Sequence, residues 1–487
     1  MGQGAPNKLA KPKRFFILAK VIVPPMKHLY SDPPGGRNFS AGRAWRVWLV
    51  GPPEGWISPG GGEVQWLATA QALQERGLEV SVVGGPIPPI YKQMFLQPES
   101  PPFRPTDEAP PAQSLFQPPR RPRSGRCRSA PFRADRPEPM APPILPAIAS
   151  KPDIVHLFGS HPSHLDWAAW ARQAAVPVVL SPIAWFSLRT YWRAGGNALA
   201  KWTSSSKFLL RAVCPWLPSW RKRLYRSVDL LLPNSLAEAR QLSRYFLLPP
   251  SRIHVVPNGA DPRFAQAAPT AFVQRTGLHH FVFCPGRLEP RKNQLGLLRA
   301  MRDWPGPIVL MGDPAPGQEA YAAACRQEAG TNVHFLPRLA HDDPLLASAY
   351  AACGCVVLAS WFETPGLAAL EAAMQGAPLV LPTEGACQEY FGPWAWYVRP
   401  TDLAGIHQAV EKALQSGRNP RLAQHVLRHY TWQQTAEATW QAYRRAMNLC
   451  IHQGPPRSES IPSMTGPTCQ HRQSDPNPAI HASIPAP

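Results

Sequence analysis

A chain of 487 residues is too long for one ordinary core, and its 44% hydrophobic content is enough for two or three packed domains. Its 61 prolines exceed the usual share of about 5%, so part of it is not globular. The formal net charge of +20 is concentrated in the N-terminal half. That points to an anionic partner (a lipid surface, nucleic acid or an acidic substrate) or to a soluble basic surface.

The nine cysteines form an odd set without a C-x-x-C pair or a histidine cluster at zinc spacing, which fits free thiols in a reducing compartment. No stretch reaches the roughly 18 apolar residues of a membrane span. "FFILAKVIVPP" is interrupted by Lys20 and no small-residue cleavage site follows it. The expectation is a cytoplasmic chain, able to sit peripherally on the inner face of a membrane.

Residues 1–42 are basic and Pro/Gly-containing, a loose arm. "AWRVWLVG" reads as a buried strand. The glycine turn of "ISPGGGEVQWLATAQALQERGLEVSVVGG", its amphipathic helix, the stop at Gly77 and a second strand complete a βαβ unit. Residues 86–150 hold "PPRRPRSGRCRS" and much of the proline, and read as a disordered insertion. "PDIVHLFG" and "VPVVLSP" are strand-like, and "VDLLLPNSLAEARQL" is a strand entering a helix capped by Asn234 or Ser235.

After the turn in "RIHVVPNGADP" a second alternating series runs through "FVFCPGRLEPRKNQLGLLRAM", "PIVLMGD", "NVHFLPRL", "CGCVVLAS" and "APLVLPT". Short apolar strands separated by helices argue for parallel sheets covered on both faces. The expected plan is a first α/β domain at 43–256, a second at 257–430, a C-terminal helix at 431–453 and a disordered tail at 454–487. Ligand is expected in the cleft beyond the carboxyl ends of the strands.

Three clusters follow strands. In "PGRLEPRKN", Gly286 frees the turn while Arg287 and Lys292 present cations beside helix-start N–H groups, a place for a diphosphate or else a solvated basic loop. In "WFETPGLAALEAAMQGAP", Glu363 sits in the loop and Glu371 lies on the helix expected from Pro365 or Gly366. A carboxylate among Leu370, Ala372 and Ala373 needs hydrogen-bond donors or a cleft, and sugar and ribose hydroxyls are such donors. Helix-dipole contact for Glu363 and exposure for Glu371 would be the plainer account. In "PTEGACQEY", Glu389 opens another helix.

Together these stretches resemble the retaining glycosyltransferases of family 4, which have the GT-B fold. "E-T-P-G-L-A-A-L-E-A" is similar to their E-x7-E motif and "G-R-L-E-P-R-K-N" to their phosphate site. "V-V-P-N-G-A-D" looks like their interdomain turn and "S-P-G-G-G-E-V" like their glycine loop. The resemblance implies an α/β architecture of two Rossmann-like, doubly wound parallel-sheet domains facing a central cleft. It implies that Arg287 and Lys292 hold the donor diphosphate and that Glu371 accepts from ribose hydroxyls. Glu363 would contact the transferred sugar with the N–H groups of Gly366 and Leu367 nearby, and Gly61 and Gly62 would let the N-terminal backbone approach. Of His156, His161 and His164, only His161 falls where family members often carry an acceptor-side histidine; a structural histidine is the alternative. Thr364-Pro365 stands where many members have Gly-Phe.

The implied reaction is retaining transfer of a sugar from a nucleotide-diphosphate sugar to an acceptor hydroxyl, with a lipid-linked or polysaccharide acceptor in view. No metal or other cofactor is expected, since cations stand where a metal would. A glycoside hydrolase also uses two carboxylates but needs no phosphate cluster. A catalytically inactive sugar-nucleotide-binding or scaffold protein on the same fold is the remaining alternative. "RAVCPWLPSWRKRLYRS" (211–227) mixes aromatic and cationic residues suited to an anionic membrane interface or to a core helix with a basic face. No nucleic-acid recognition motif is present.

Overall fold

The computed structural model describes residues 44–51, 60–84, 151–187 and 218–453, with isolated positions between 206 and 216. The expected arm (1–42), insertion (86–150) and tail (454–487), and most of 211–217, lie outside the described residues.

The first sheet is built from β1 (Arg46–Gly51), β2 (Glu79–Gly84), β3 (Ile154–Phe158), β4 (Val178–Ser181) and β5 (Leu230–Leu231), all parallel in the order β2-β1-β3-β4-β5. β3 and β4 are buried along their whole length, so apart from the buried His156 and Ser181 their sequences are apolar rather than alternating. The helices are α1 (Gly61–Glu75), α2 (His164–Gln173), α3 (Trp220–Ser227) and α4 (Leu236–Phe246). Helix α1 ends two residues before Gly77, whose φ of +94° suits glycine at the turn into β2. Ser235, rather than Asn234, caps α4 by accepting the Glu238 N–H.

The second sheet runs β11-β10-β9-β6-β7-β8, again all parallel: β6 (Val282–Pro285), β7 (Ile308–Met311), β8 (Val333–Leu336), β9 (Cys355–Val357), β10 (Leu379–Pro382) and β11 (Trp396–Val398). Two short helical segments, Arg263–Gln266 and Thr270–Thr276, lead into it, and its further helices are α5 (Gln294–Ala300), α6 (Glu319–Glu328), α7 (Pro344–Ala352), α8 (Leu367–Met374), α9 (Cys387–Phe391), α10 (Leu403–Ser416) and α11 (Pro420–His429). One core gathers Phe281, Phe283, Tyr350, Leu370 and Tyr390 on one face; another gathers Val282, Leu297, Leu310 and Val410 on the opposite face. Two Rossmann-like parallel sheets, the expected fold class, are what the chain forms.

Two crossings tie the domains. Residues 257–260 leave the first domain beside residues 430–432, where Ala260 N–H donates to the Tyr430 carbonyl at 2.9 Å. Then α12 (Trp432–Gln453) returns to the first domain and places Trp432, Ala436, Ala442 and Tyr443 in one core with Val47, Leu49 and Trp66. Tyr443 Oη lies 2.9 Å from His156 Nδ1, and His156 Nε2 lies 2.9 Å from Ser181 Oγ. Every ring nitrogen of that buried histidine is therefore satisfied, and burial pushes its pKa down to about 3.

Candidate active site

The carboxyl ends of both sheets open onto a cleft of about 540 Å³. Its lining includes Gly60–Gln65 at the start of α1, Phe158 and Gly159 from the end of β3, Gly286 and Arg287 after β6 with Arg291 and Lys292, and Arg338, Leu339 and His341 after β8. Glu363, Thr364, Gly366, Leu367 and Glu371, around the start of α8, and Tyr350 line it as well.

The loop after β9 is shaped by a cis peptide at Thr364-Pro365, and α8 begins at Leu367 with Gly366 at its N-cap, φ +89°. Glu363 is 4% exposed. Its Oε1 accepts from Lys292 Nζ at 2.6 Å and from Ser360 Oγ at 2.6 Å, with an Arg291 nitrogen at 4.0 Å. Burial on its own would raise this carboxyl's pKa; the Lys292 and Arg291 charges and the two hydrogen bonds more than reverse that and hold it below the ordinary carboxylate range. The backbone of Glu363 is pinned as well: Ala386 N–H donates to its carbonyl at 2.8 Å, and it forms a bridge with Gly385. A Cβ on Gly385 would fall 2.1 Å from that carbonyl oxygen, so only glycine fits there.

Among the described residues, Arg287, Arg291 and Lys292 stand against two carboxylates, Glu289 and Glu363, so cations outnumber carboxylates in this cluster. Gly286, φ +133°, lets the chain turn beneath them: a Cβ there would touch Lys292 Cε at 3.6 Å. Across the cleft, Arg287 reaches Gly60, where a Cβ would lie 3.1 Å from the guanidinium carbon. The close approach of the N-terminal glycine run is therefore made by Gly60. At Gly61 and Gly62 an added Cβ would meet only Leu367 and Ile183, each at 3.9 Å. Gly60 N–H is taken up by Glu63 at 2.6 Å, which squares the start of α1 toward the cleft.

Glu371 is 6% exposed and faces the cleft, not a polar stripe. Tyr350 Oη donates to its Oε2 at 2.7 Å, and His341 Nε2 lies 2.9 Å from its Oε1. Thus Arg287, Lys292, Glu363, Glu371, Gly61, Gly62, Gly286, Gly366 and Leu367 all come together on one lining. His161 does not: the lining on the β3 side is Phe158 and Gly159, while His161 Nδ1 lies 2.7 Å from Ser163 Oγ and accepts the Ser163 N–H at 3.2 Å. Gly60, His341, Tyr350 and Ser360 were not singled out by sequence reasoning. His341 lies just after a parallel strand, the position that flagged the other clusters.

The domains also grip each other beside the site. Glu389 on α9 accepts the N–H groups of Leu236 (2.7 Å) and Ala237 (3.1 Å) at the start of α4. Tyr390 Oη donates to the Asn234 carbonyl at 2.5 Å, and the Asn234 amide donates to the Thr364 carbonyl at 3.1 Å.

Residues 59–264 match the family model of Glycosyltransferase Family 4, and residues 279–416 match that of Glycosyl transferases group 1. The chain belongs to glycosyltransferase family 4. An MMP alpha-(1->4)-mannosyltransferase of Mycolicibacterium hassiacum is 28% identical over 250 residues, 47% of this chain and 56% of the relative. A D-inositol 3-phosphate glycosyltransferase of Mycobacterium marinum is 30% identical over 314 residues, 61% and 64%. This family 4 chain thus spans between about half and two thirds of the length of the curated relatives it matches. Its fold is GT-B. It is similar to the structure of sucrose-phosphate synthase from Thermosynechococcus elongatus with a TM-score of 0.59 at 16% identity, covering 83% of this chain and 99% of that one. It is also similar to Anabaena HepE in complex with UDP and glucose, with a TM-score of 0.50 at 16% identity, covering 84% and 98%. At those identities the likeness concerns the fold alone.

Proposed function

We propose that this chain is a retaining glycosyltransferase that moves a sugar from a nucleoside-diphosphate sugar to an acceptor hydroxyl. The observation that carries the reading is the placement of Lys292 on Glu363, with Arg287 beside them, inside a cleft walled by α1 and α8. Lys292 gives one of its three donors to Glu363, and the others face the space where a diphosphate would lie. As the glycosidic bond breaks, charge builds on the leaving diphosphate, and fixed cations stabilise it at a few kcal/mol per donor. Glu363, ionised by its neighbours, keeps acceptor capacity for hydroxyls of the sugar. Glu371 does the same for the ribose.

A thermal-shift screen against UDP, GDP, ADP and their sugar conjugates tests this, with Glu371→Ala and Arg287→Ala as controls. HepE holding UDP makes UDP the first nucleotide to try. Saturation at a hundred times Kd adds about 2.7 kcal/mol. A shift with one nucleotide that disappears in both variants supports the reading, and no shift with any of them removes it.

The reading extends to an acceptor at a membrane. Trp216 is 66% and Leu210 55% exposed, and the Arg221 guanidinium stacks 4.4 Å over the Trp220 ring at the start of α3. An anionic bilayer suits that mixture, and a lipid-linked or polysaccharide acceptor would meet the enzyme there. Co-flotation with anionic liposomes should be lost when Arg221, Lys222 and Arg223 become Ser. Among the described residues no helix is long and apolar enough to cross a membrane.

A second reading, a nucleotide-sugar binder without transfer, is favoured by one observation. Where β3 meets the cleft the lining residue is Phe158, and the nearby His161 is turned to Ser163. Nucleotide binding without release of nucleoside diphosphate from any sugar conjugate would favour it.

A further inference from the structure

Glu371 is held by a chain of side chains that starts well outside the cleft. Asp261 lies 3.6 Å from Arg263, and Arg263 donates to the His341 carbonyl. A terminal nitrogen of the same guanidinium lies 3.5 Å from His341 Nδ1. A guanidinium can only donate, so Nδ1 is the accepting nitrogen and Nε2 carries the hydrogen. That N–H points at Glu371 Oε1, 2.9 Å away, while Tyr350 Oη takes Oε2. The Phe264 ring packs edge-on to both His341 and Tyr350, with centroids 5.7 Å apart in each case. A carboxylate offers about four lone-pair directions. With one used on each oxygen, one remains on each, and the His341 side chain is itself 31% exposed to the cleft. Two adjacent acceptor directions match two adjacent hydroxyl donors.

We propose that His341 is a positioning residue for donor recognition: it locks Glu371 so that both carboxylate oxygens present to a ribose diol, and it thereby sets the preference for ribonucleotides over deoxyribonucleotides. This rests on the nucleotide-sugar reading above. Arg263 acts one step further out by fixing which imidazole nitrogen carries the hydrogen.

The test is calorimetric titration of UDP, GDP and ADP, then of the 2′-deoxy and 3′-deoxy forms of whichever binds. The proteins are wild type, His341→Phe, His341→Gln and Arg263→Met, each checked for folding by its thermal transition. Wild type should prefer the ribonucleotide by about tenfold or more, the scale of one hydrogen bond to a charged group. His341→Phe should bind more weakly and lose most of that preference; His341→Gln, whose amide can donate to Oε1, should keep it. Arg263→Met, which lies away from the cleft lining, should reduce it. If His341→Phe and Arg263→Met keep the wild-type ratio, this inference fails and the donor reading stands. If wild type binds none of the three nucleotides, the donor reading fails and takes the inference with it.

Discussion

The ammonium of Lys292 and the carboxylate of Glu363 are 2.6 Å apart, joined from two loops 71 residues distant in the chain, with side chains only 15% and 5% exposed. Removing one member of so buried a pair strands the other's charge, at about 3–5 kcal/mol. Lys292→Met should therefore lower the melting temperature by several degrees, toward the lower end of that cost because Arg291 stands at 4.0 Å. Glu363→Gln strands the Lys292 charge in turn and should also lower the melting temperature, by less than Lys292→Met because the amide oxygen can still accept from Lys292 and the ammonium is the more exposed partner. Both should cut turnover by about a hundredfold or more, read as nucleotide released from the donor. An unchanged melting temperature for Lys292→Met would contradict the pairing.

Gly60→Ala offers a steric probe with little strain, since the backbone there is extended (φ −121°, ψ −160°). The new methyl would press on the Arg287 guanidinium at 3.1 Å. Nucleotide affinity should fall by about tenfold while thermal stability moves by about 0.5 kcal/mol or less. Titration of UDP against both proteins checks this, and equal affinities would mean Arg287 is not used by the ligand.

Glu389→Ala uncaps α4 from the opposite domain, leaving the N–H groups of Leu236 and Ala237 without their carboxylate. A loss of about 1–2 kcal/mol is expected, measured by denaturant unfolding. The same variant should weaken donor binding, because α9 follows directly on the Gly385–Ala386 segment that holds Glu363. Stability lost with affinity intact would separate the two effects.

Buried histidines set the acid side of stability. Burial lowers His156 to about 3 and His164 to about 4, so both stay neutral in the fold while the unfolded chain takes up protons below about pH 6.5. Their stabilising contribution is complete above pH 6.5 and is lost as pH falls toward those values, about 2 kcal/mol per histidine by pH 5. Glu238 opposes this. Burial pushes its pKa up to about 7, so the fold keeps a proton that the unfolded chain has released. Unfolding scans from pH 7 to 5 should show falling stability in the wild type and a steeper fall in Glu238→Gln. A pH-independent transition would refute the account.

The architecture was readable because parallel strands buried on both faces leave continuous apolar runs, and glycine and proline mark their ends. The basic wall at Arg287–Lys292 and both glutamates were legible for a related reason: each follows a strand and brings polar groups into an apolar context. What stayed hidden depended on pairing across the chain. Nothing local to Glu371 indicates that His341 and Tyr350 occupy its two oxygens, and three adjacent glycines do not say which one meets Arg287. His161 was picked out by its place after β3; that Ser163, two residues on, partners its imidazole is a contact its position in the sequence does not reveal.

The return of α12 to the first domain reverses the usual order of assembly on the ribosome. Val47, Leu49 and Trp66 emerge early, but the core they share with Trp432, Ala436 and Tyr443 is complete only when α12 has been made. His156 waits as long for the Tyr443 hydroxyl. The second domain, whose strands and helices lie between residues 263 and 429, can close first. The domain synthesised first is thus finished after the second, its apolar faces needing protection until α12 has been made.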